Sequence, residues 1–238
     1  MLVLNRFKKK KYILSIIYRL SKIFPLPLKI KFSIFSDLSW IFNRLAFETS
    51  NDIIKTEHIS KIESINYFKK FINKNDNLLD LGCGAGEKTY LLSKYCNTIL
   101  GIDYADNLIE DAKNNYYNIK NLNFIKMDLN QLRNNKNINY YDVIFLSHIV
   151  EHIDNTNTFF KFIKNFSDKI FIEVPDFDSN ILNLFRKSEN IGINYTDDDH
   201  VYEFDKKSLI KILYQNDFQI IDSENTHGVI RIIAKKNK

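Results

Sequence analysis

Residues 78–86 read Leu-Leu-Asp-Leu-Gly-Cys-Gly-Ala-Gly, an apolar run closed by Asp80 and then by Gly82, Gly84 and Gly86. A helical pattern follows over 87–95, with Leu91 and Leu92 on its inner face. Strand, glycine turn and helix together form the unit that holds a nucleotide-like ligand at the carboxyl edge of a parallel sheet. Glycine tolerates φ > 0 and lets backbone approach a ligand closely. The spacing here is G-x-G-x-G, not the G-x-G-x-x-G of dinucleotide sites. A buried carboxylate at Asp80 would repel a pyrophosphate and attract an ammonium. Asp103 ends the next apolar run, where an acidic residue takes ribose hydroxyls.

The periodicity predicts strands near 77–81, 98–102, 122–126, 141–147, 169–174, 217–223 and 228–234. Helices are expected near 12–24, 36–48, 52–72, 87–95, 105–117, 155–166 and 206–215. Strands alternating with helices predict an α/β fold, a Rossmann-like doubly wound and mostly parallel seven-stranded sheet. The last two strands are joined by a turn at Glu224–His227, so they should form an antiparallel hairpin. Residues 175–200 read as a long insertion at the ligand-bearing edge, where specificity usually resides.

Four ordered segments, LLDLGCGAG, GIDYADNLIEDAK, FIKMDLNQL and YDVIFLSHIVEH, lie within residues 77–152. In this order and spacing the chain resembles the class I S-adenosylmethionine-dependent methyltransferases. The resemblance implies a final antiparallel strand and S-adenosyl-L-methionine as cofactor. It places Asp80, Gly82, Cys83, Gly84 and Gly86 around the methionine part, and Asp103 with Tyr104 at the ribose. Asp128 would meet the adenine amine, flanked by Met127 and Leu129, and Ser147 and His148 would line the site at the next strand end. Asp128 also reads as a helix N-cap, and both roles are compatible. The resemblance divides the chain into a basic helical N-terminal extension, 1–50, and a methyltransferase domain, 51–238.

His148-Ile149-Val150-Glu151-His152 is the second informative cluster. Its H-x-x-E-H pattern matches the inverted zinc-protease motif, which requires a helix, whereas this segment leaves a strand. Within the resembled family such a His and Glu line the methyl-bearing sulfur. Some members, including small-RNA 3′-end and ubiquinone-pathway O-methyltransferases, hold a divalent metal with an E-x-x-E-H motif; this chain has His148 in place of the first Glu. A later histidine completes that site in the small-RNA enzymes, and Asp199-His200-Val201-Tyr202-Glu203-Phe204 resembles its context. A metal on His148, Glu151, His152 and His200 would acidify a hydroxyl. Without one, His148 or His152 is the expected base, with Glu151 beside them.

The bulk numbers bound the partners. The 238 residues suffice for one α/β domain plus an extension. Two cysteines, Cys83 and Cys96, make no disulfide framework and suit a reducing cytoplasm. The net charge of +5 is uneven: residues 1–31 carry nine Lys or Arg and no acid, leaving the remainder at −4. No run in this arm reaches spanning length, and no small-residue cleavage site follows it. Ser15, Arg19 and Lys22 form one polar stripe on an otherwise apolar helix. That helix reads either as packed on the domain, the reading favoured by the sequence, or as lying on an anionic membrane surface.

The regions outside the cofactor frame resemble methyltransferases found with bacterial capsule and lipopolysaccharide enzymes. That implies O-methylation of a sugar or phosphorylated intermediate. A metal-dependent RNA 2′-O-methyltransferase is the alternative, disfavoured by the mildly acidic body. A non-catalytic adenosylmethionine-binding protein is a third, against which the intact glycine loop and Asp103 argue.

Overall fold

The computed structural model describes residues 12–23, 25–54, 56–129, 140–191 and 199–237. Its centre is a seven-stranded sheet in the order β3-β2-β1-β4-β5-β7-β6. The strands are β1 Asn77–Leu81, β2 Thr98–Asp103, β3 Leu122–Lys126, β4 Val143–Ser147, β5 Lys169–Pro175, β6 Phe218–Thr226 and β7 Val229–Lys236. The first five run parallel, and β7 pairs antiparallel with both β5 and β6. The doubly wound sheet and its closing hairpin therefore match the expected fold.

Alternation along the strands makes two cores. Leu79, Leu81, Ile144 and Leu146 face one side with Phe160, Leu209 and Leu213. Leu78, Val143, Phe145 and Phe171 face the other with Phe68 and Leu92. The helices are α1 Tyr12–Ile23, α2 Leu28–Ile53, α3 Ile59–Phe68, α4 Glu87–Ser93, α5 Asp106–Tyr116, α6 Thr156–Ile163, α7 Ile181–Glu189 and α8 Lys206–Gln215. Chain order reverses between β1 and β4, and loops leaving those two strands diverge there. This switch point is where an open α/β sheet binds its ligand.

Three elements differ from the sequence reading. The expected helix over 36–48 runs from Leu28 to Ile53, starting directly after Pro27. Proline suits a helix start, because its missing N–H has no intrahelical partner there anyway. The expected single helix over 52–72 is split. His58 interrupts it by capping α3, its ring accepting from Ser60 N at 3.3 Å, and a 3₁₀ turn at Lys69–Phe71 ends the stretch. The insertion contains α7, capped by Asn180 at its start and by Asn190, with φ of 52°, at its end. Phe32 of α2 meets Phe185 of α7 edge to face at 4.9 Å, and the buried Arg186 lies over Phe32. Residues 130–132, expected as part of a short helical turn, lie outside the described residues.

Candidate active site

The glycine loop hangs from β2: Gly82 N and Cys83 N both donate to Ile102 O, at 2.8 and 3.0 Å. Each glycine has its own necessity. Gly82 and Gly86 adopt φ of 75° and 82° and touch Ile149 and Phe124, so added atoms would collide. Gly84, with φ of 54°, faces open space, and an added Cβ would meet nothing within 4 Å. That is the geometry of a backbone cradle for a ligand.

Asp80 is buried at the end of β1, and Thr89 Oγ1 donates to it at 2.6 Å. Burial pushes its carboxyl up to about 7, against the Thr89 hydrogen bond and the Lys88 charge. Asp103 accepts from Gly84 N at 2.9 Å and Ala105 N at 3.0 Å. It ties β2 to the glycine loop while its remaining lone pairs stay available. Burial also raises the Cys83 thiol, leaving a small neutral side chain and no nucleophile.

Two cavities continue this edge. One, of about 410 Å³, is lined by Gly82, Asp103, Tyr104, Met127, Asp128 and Leu129 among others. The second, of about 170 Å³, is lined by Asp80, Gly82, Cys83, Gly84, Ser147 and His148 with Lys88 and Lys61. The residues expected at the ribose and adenine line the first, and of those expected at the methionine part all but Gly86 line the second. A group with an ammonium, a ribose and a flat base fits this pair: open glycine backbone, a buried carboxylate and an apolar slot.

A third cavity, of about 500 Å³, shares Lys61, Lys88 and His148 with the methionine end. It is built from distant segments. Glu173 of β5 and Arg231 of β7 stand directly opposite in register. Both are buried, and Arg231 Nε donates to Glu173 Oε2 at 2.6 Å. Lys88 donates to the other Glu173 oxygen and, at 2.7 Å, to Ser147 Oγ. Arg231 also donates to Glu224 at 2.8 Å and Thr226 at 2.9 Å. Burial alone would raise the Glu173 carboxyl, but Lys88 and His148 hold it well below the usual carboxylate range.

His148 follows β4 with φ of 54°, a left-handed conformation rare outside glycine. Its N–H donates to Glu173 O at 2.8 Å, which fixes the turn. The ring lies between two acids, with Nδ1 3.3 Å from Glu151 Oε1 and Nε2 3.5 Å from Glu173 Oε1. Burial pulls its pKa down, but Glu151 and Glu173 outweigh this and hold it above the ordinary 6.5.

Glu151 is buried: its Oε1 meets the His148 ring at 3.3 Å, and its Oε2 has no hydrogen-bond partner among the described residues. Its backbone O accepts from Val201 N at 2.9 Å and Tyr202 N at 3.1 Å, which draws the end of the insertion over it. Glu151, His152 and His200 offer ligand atoms all within 4.8 Å of one another. His200 Nδ1 is 3.1 Å from Glu203 Oε1. The structure thus brings His200 to Glu151 and His152, while His148 is not one of that trio and spans Glu151 and Glu173. A buried carboxylate whose Oε2 has no partner among the described residues, beside two imidazoles, fits a divalent cation by donor chemistry.

Lys88, Glu173, Arg231 and Glu203 were not singled out from sequence. A signal existed for two of them: Glu173 and Arg231 are lone opposite charges inside the apolar runs 170–174 and 229–234.

Comparison with known proteins now gives the class. A methyltransferase-domain family model matches residues 72–230, and the chain belongs to that family. It is 40% identical over 68 residues to a probable cobalt-precorrin-6B C(15)-methyltransferase (decarboxylating) of Methanocaldococcus jannaschii, covering 28% of this chain and 37% of that protein. It is 27% identical over 110 residues to a ubiquinone biosynthesis O-methyltransferase of Coxiella burnetii, covering 45% and 46%. The chain thus spans less than half the length of either curated relative. The magnesium protoporphyrin IX methyltransferase of Synechocystis PCC 6803, solved with bound SAH, superposes with a TM-score of 0.58 at 15% identity, over 75% of this chain and 82% of that one. The chain carries an S-adenosylmethionine-dependent methyltransferase domain.

Proposed function

We propose that the protein methylates a hydroxyl of a sugar or phosphorylated small molecule in surface-glycan assembly. The observation that carries this reading is the third cavity. It adjoins the methionine end of the donor site, has small-molecule size, and is lined by His148, Lys88 and Glu173. Asp80 and the glycine loop would hold the methionine part, and Asp103, Tyr104 and Asp128 the adenosine part. S-adenosylmethionine, when bound, supplies the activated methyl group. The chain's own work is alignment and proton removal. His148, neutral above its raised pKa, accepts the hydroxyl proton, and Glu151 and Glu173 stabilise the resulting imidazolium.

A second reading, metal-dependent 2′-O-methylation of RNA, is favoured by the trio Glu151, His152 and His200. A divalent ion held there would supply Lewis-acid activation of a hydroxyl.

Methyl transfer from labelled donor to a panel of nucleotide sugars, phosphorylated sugars and small RNAs separates the two readings. The first predicts label in a sugar, retained in EDTA. Label confined to RNA and abolished by EDTA would replace it with the second.

A further inference from the structure

We propose that α1 and the outward face of α2 form a docking surface for an anionic lipid bilayer. The helix α1 is amphipathic, with Ile16, Ile17, Leu20 and Ile23 on one face and Ser15, Arg19 and Lys22 on the other. Of its residues 15–23, all but Ser21 are exposed, so its apolar face has no cover among the described residues. This decides between packing on the domain and an open face in favour of the open face. A bend at Pro25-Leu26-Pro27 follows, and Lys31 Nζ donates back to Lys22 O at 3.2 Å. Along α2, Ile34, Leu38, Ile41 and Leu45 recur at helical spacing and are all exposed. The opposite side of α2 carries the buried Ser36 and the contact of Phe32 with α7.

Exposed apolar surface of this extent marks an interaction site. Charge selects the occupant. Residues 1–31 hold nine basic residues and no acid. A second copy of the chain would bring the same positive charge against this segment and be repelled. An anionic lipid surface satisfies both features, taking the apolar face into the acyl boundary and the Lys and Arg into the headgroups. Neither helix is long and apolar enough to cross a membrane, so the chain would lie on the surface. Phe47 and Asn51, on the opposite side of α2, line the acceptor cavity, so one helix carries both the docking face and a wall of the site.

The test is co-sedimentation of the full chain with vesicles of phosphatidylcholine alone or mixed with phosphatidylglycerol. Binding is expected on the mixed vesicles, weak on the neutral ones, and reduced at high salt. The double variant Arg19→Gln/Lys22→Gln should lower partitioning about 30-fold. Ile16→Ser/Leu20→Ser should lower it at least about tenfold while leaving S-adenosylmethionine binding unchanged, which shows that the domain is intact. A chain that stays in the supernatant with anionic vesicles overturns the proposal. So does binding indifferent to Ile16→Ser/Leu20→Ser, or a dimer in sedimentation that the same variant dissolves without any vesicle binding by the wild type.

Discussion

The donor and acceptor sides of the site share one sheet edge but are built in different ways. The donor side is made largely of backbone: three glycines in left-handed conformations, amide N–H groups on the buried Asp103, and the buried acid Asp80. The acceptor side is made of side-chain charge drawn from four separate segments, joined through Glu173 and Glu151. A constant ligand can be held by backbone, which tolerates no variation. A particular acceptor needs side chains, which can change without breaking the sheet. The two sides should therefore fail differently.

The largest effect is expected on the acceptor side. His148→Asn keeps a residue type that tolerates φ > 0 and removes the base. Turnover should fall roughly 10²–10⁴-fold, with a far smaller change in donor affinity by calorimetry, since His148 also lines the methionine end. Equal losses in both would place His148 on the donor side and break the comparison.

Glu173→Gln should rank second. It leaves the buried Arg231 with Glu224 alone and the half-buried Lys88 without its acid, costing about 3–5 kcal/mol in denaturant unfolding. Because the Glu173 carboxyl is depressed, its contribution is present above the ordinary 4.5 and is lost as pH falls through the lower folded value. The variant should therefore show a shallower loss of stability in acid. Glu173 also raises the His148 pKa, so the acidic limb of kcat/KM should move to lower pH in the variant.

On the donor side, Gly84→Val should weaken S-adenosylmethionine binding about 100-fold, or ~3 kcal/mol, by filling the open cradle. The fold should lose only about 1–2 kcal/mol, the cost of a side chain at that φ. The smallest effect is on pH. With the Asp80 carboxyl at about 7, donor affinity should fall as pH drops below 7, by about tenfold per unit. Thr89→Ala removes a hydrogen bond to the ionised form and should move that limb upward.

This division also explains what could be read from the sequence. The donor side was legible because its chemistry is local: Asp80 through Gly86 is one contiguous turn, and Asp103 ends the neighbouring strand. His200 could be matched to His152 through its own context, and the two rings meet at 4.8 Å. Glu173 and Arg231 needed the pairing of β5 with β7, and no local pattern specifies that register. The break at His58 was hidden because Ile54, Ile62, Ile65 and Phe68 keep a helical period across it, while a cap is a matter of one side chain. The polar insertion hid α7, whose ends are set by two asparagines.

Titration calorimetry of the wild-type chain with S-adenosylmethionine tests the central claim most directly. Saturable binding at micromolar concentration, weakened far more in Gly84→Val than in His148→Asn, is the predicted result. A folded wild-type chain that takes up no S-adenosylmethionine would contradict the account.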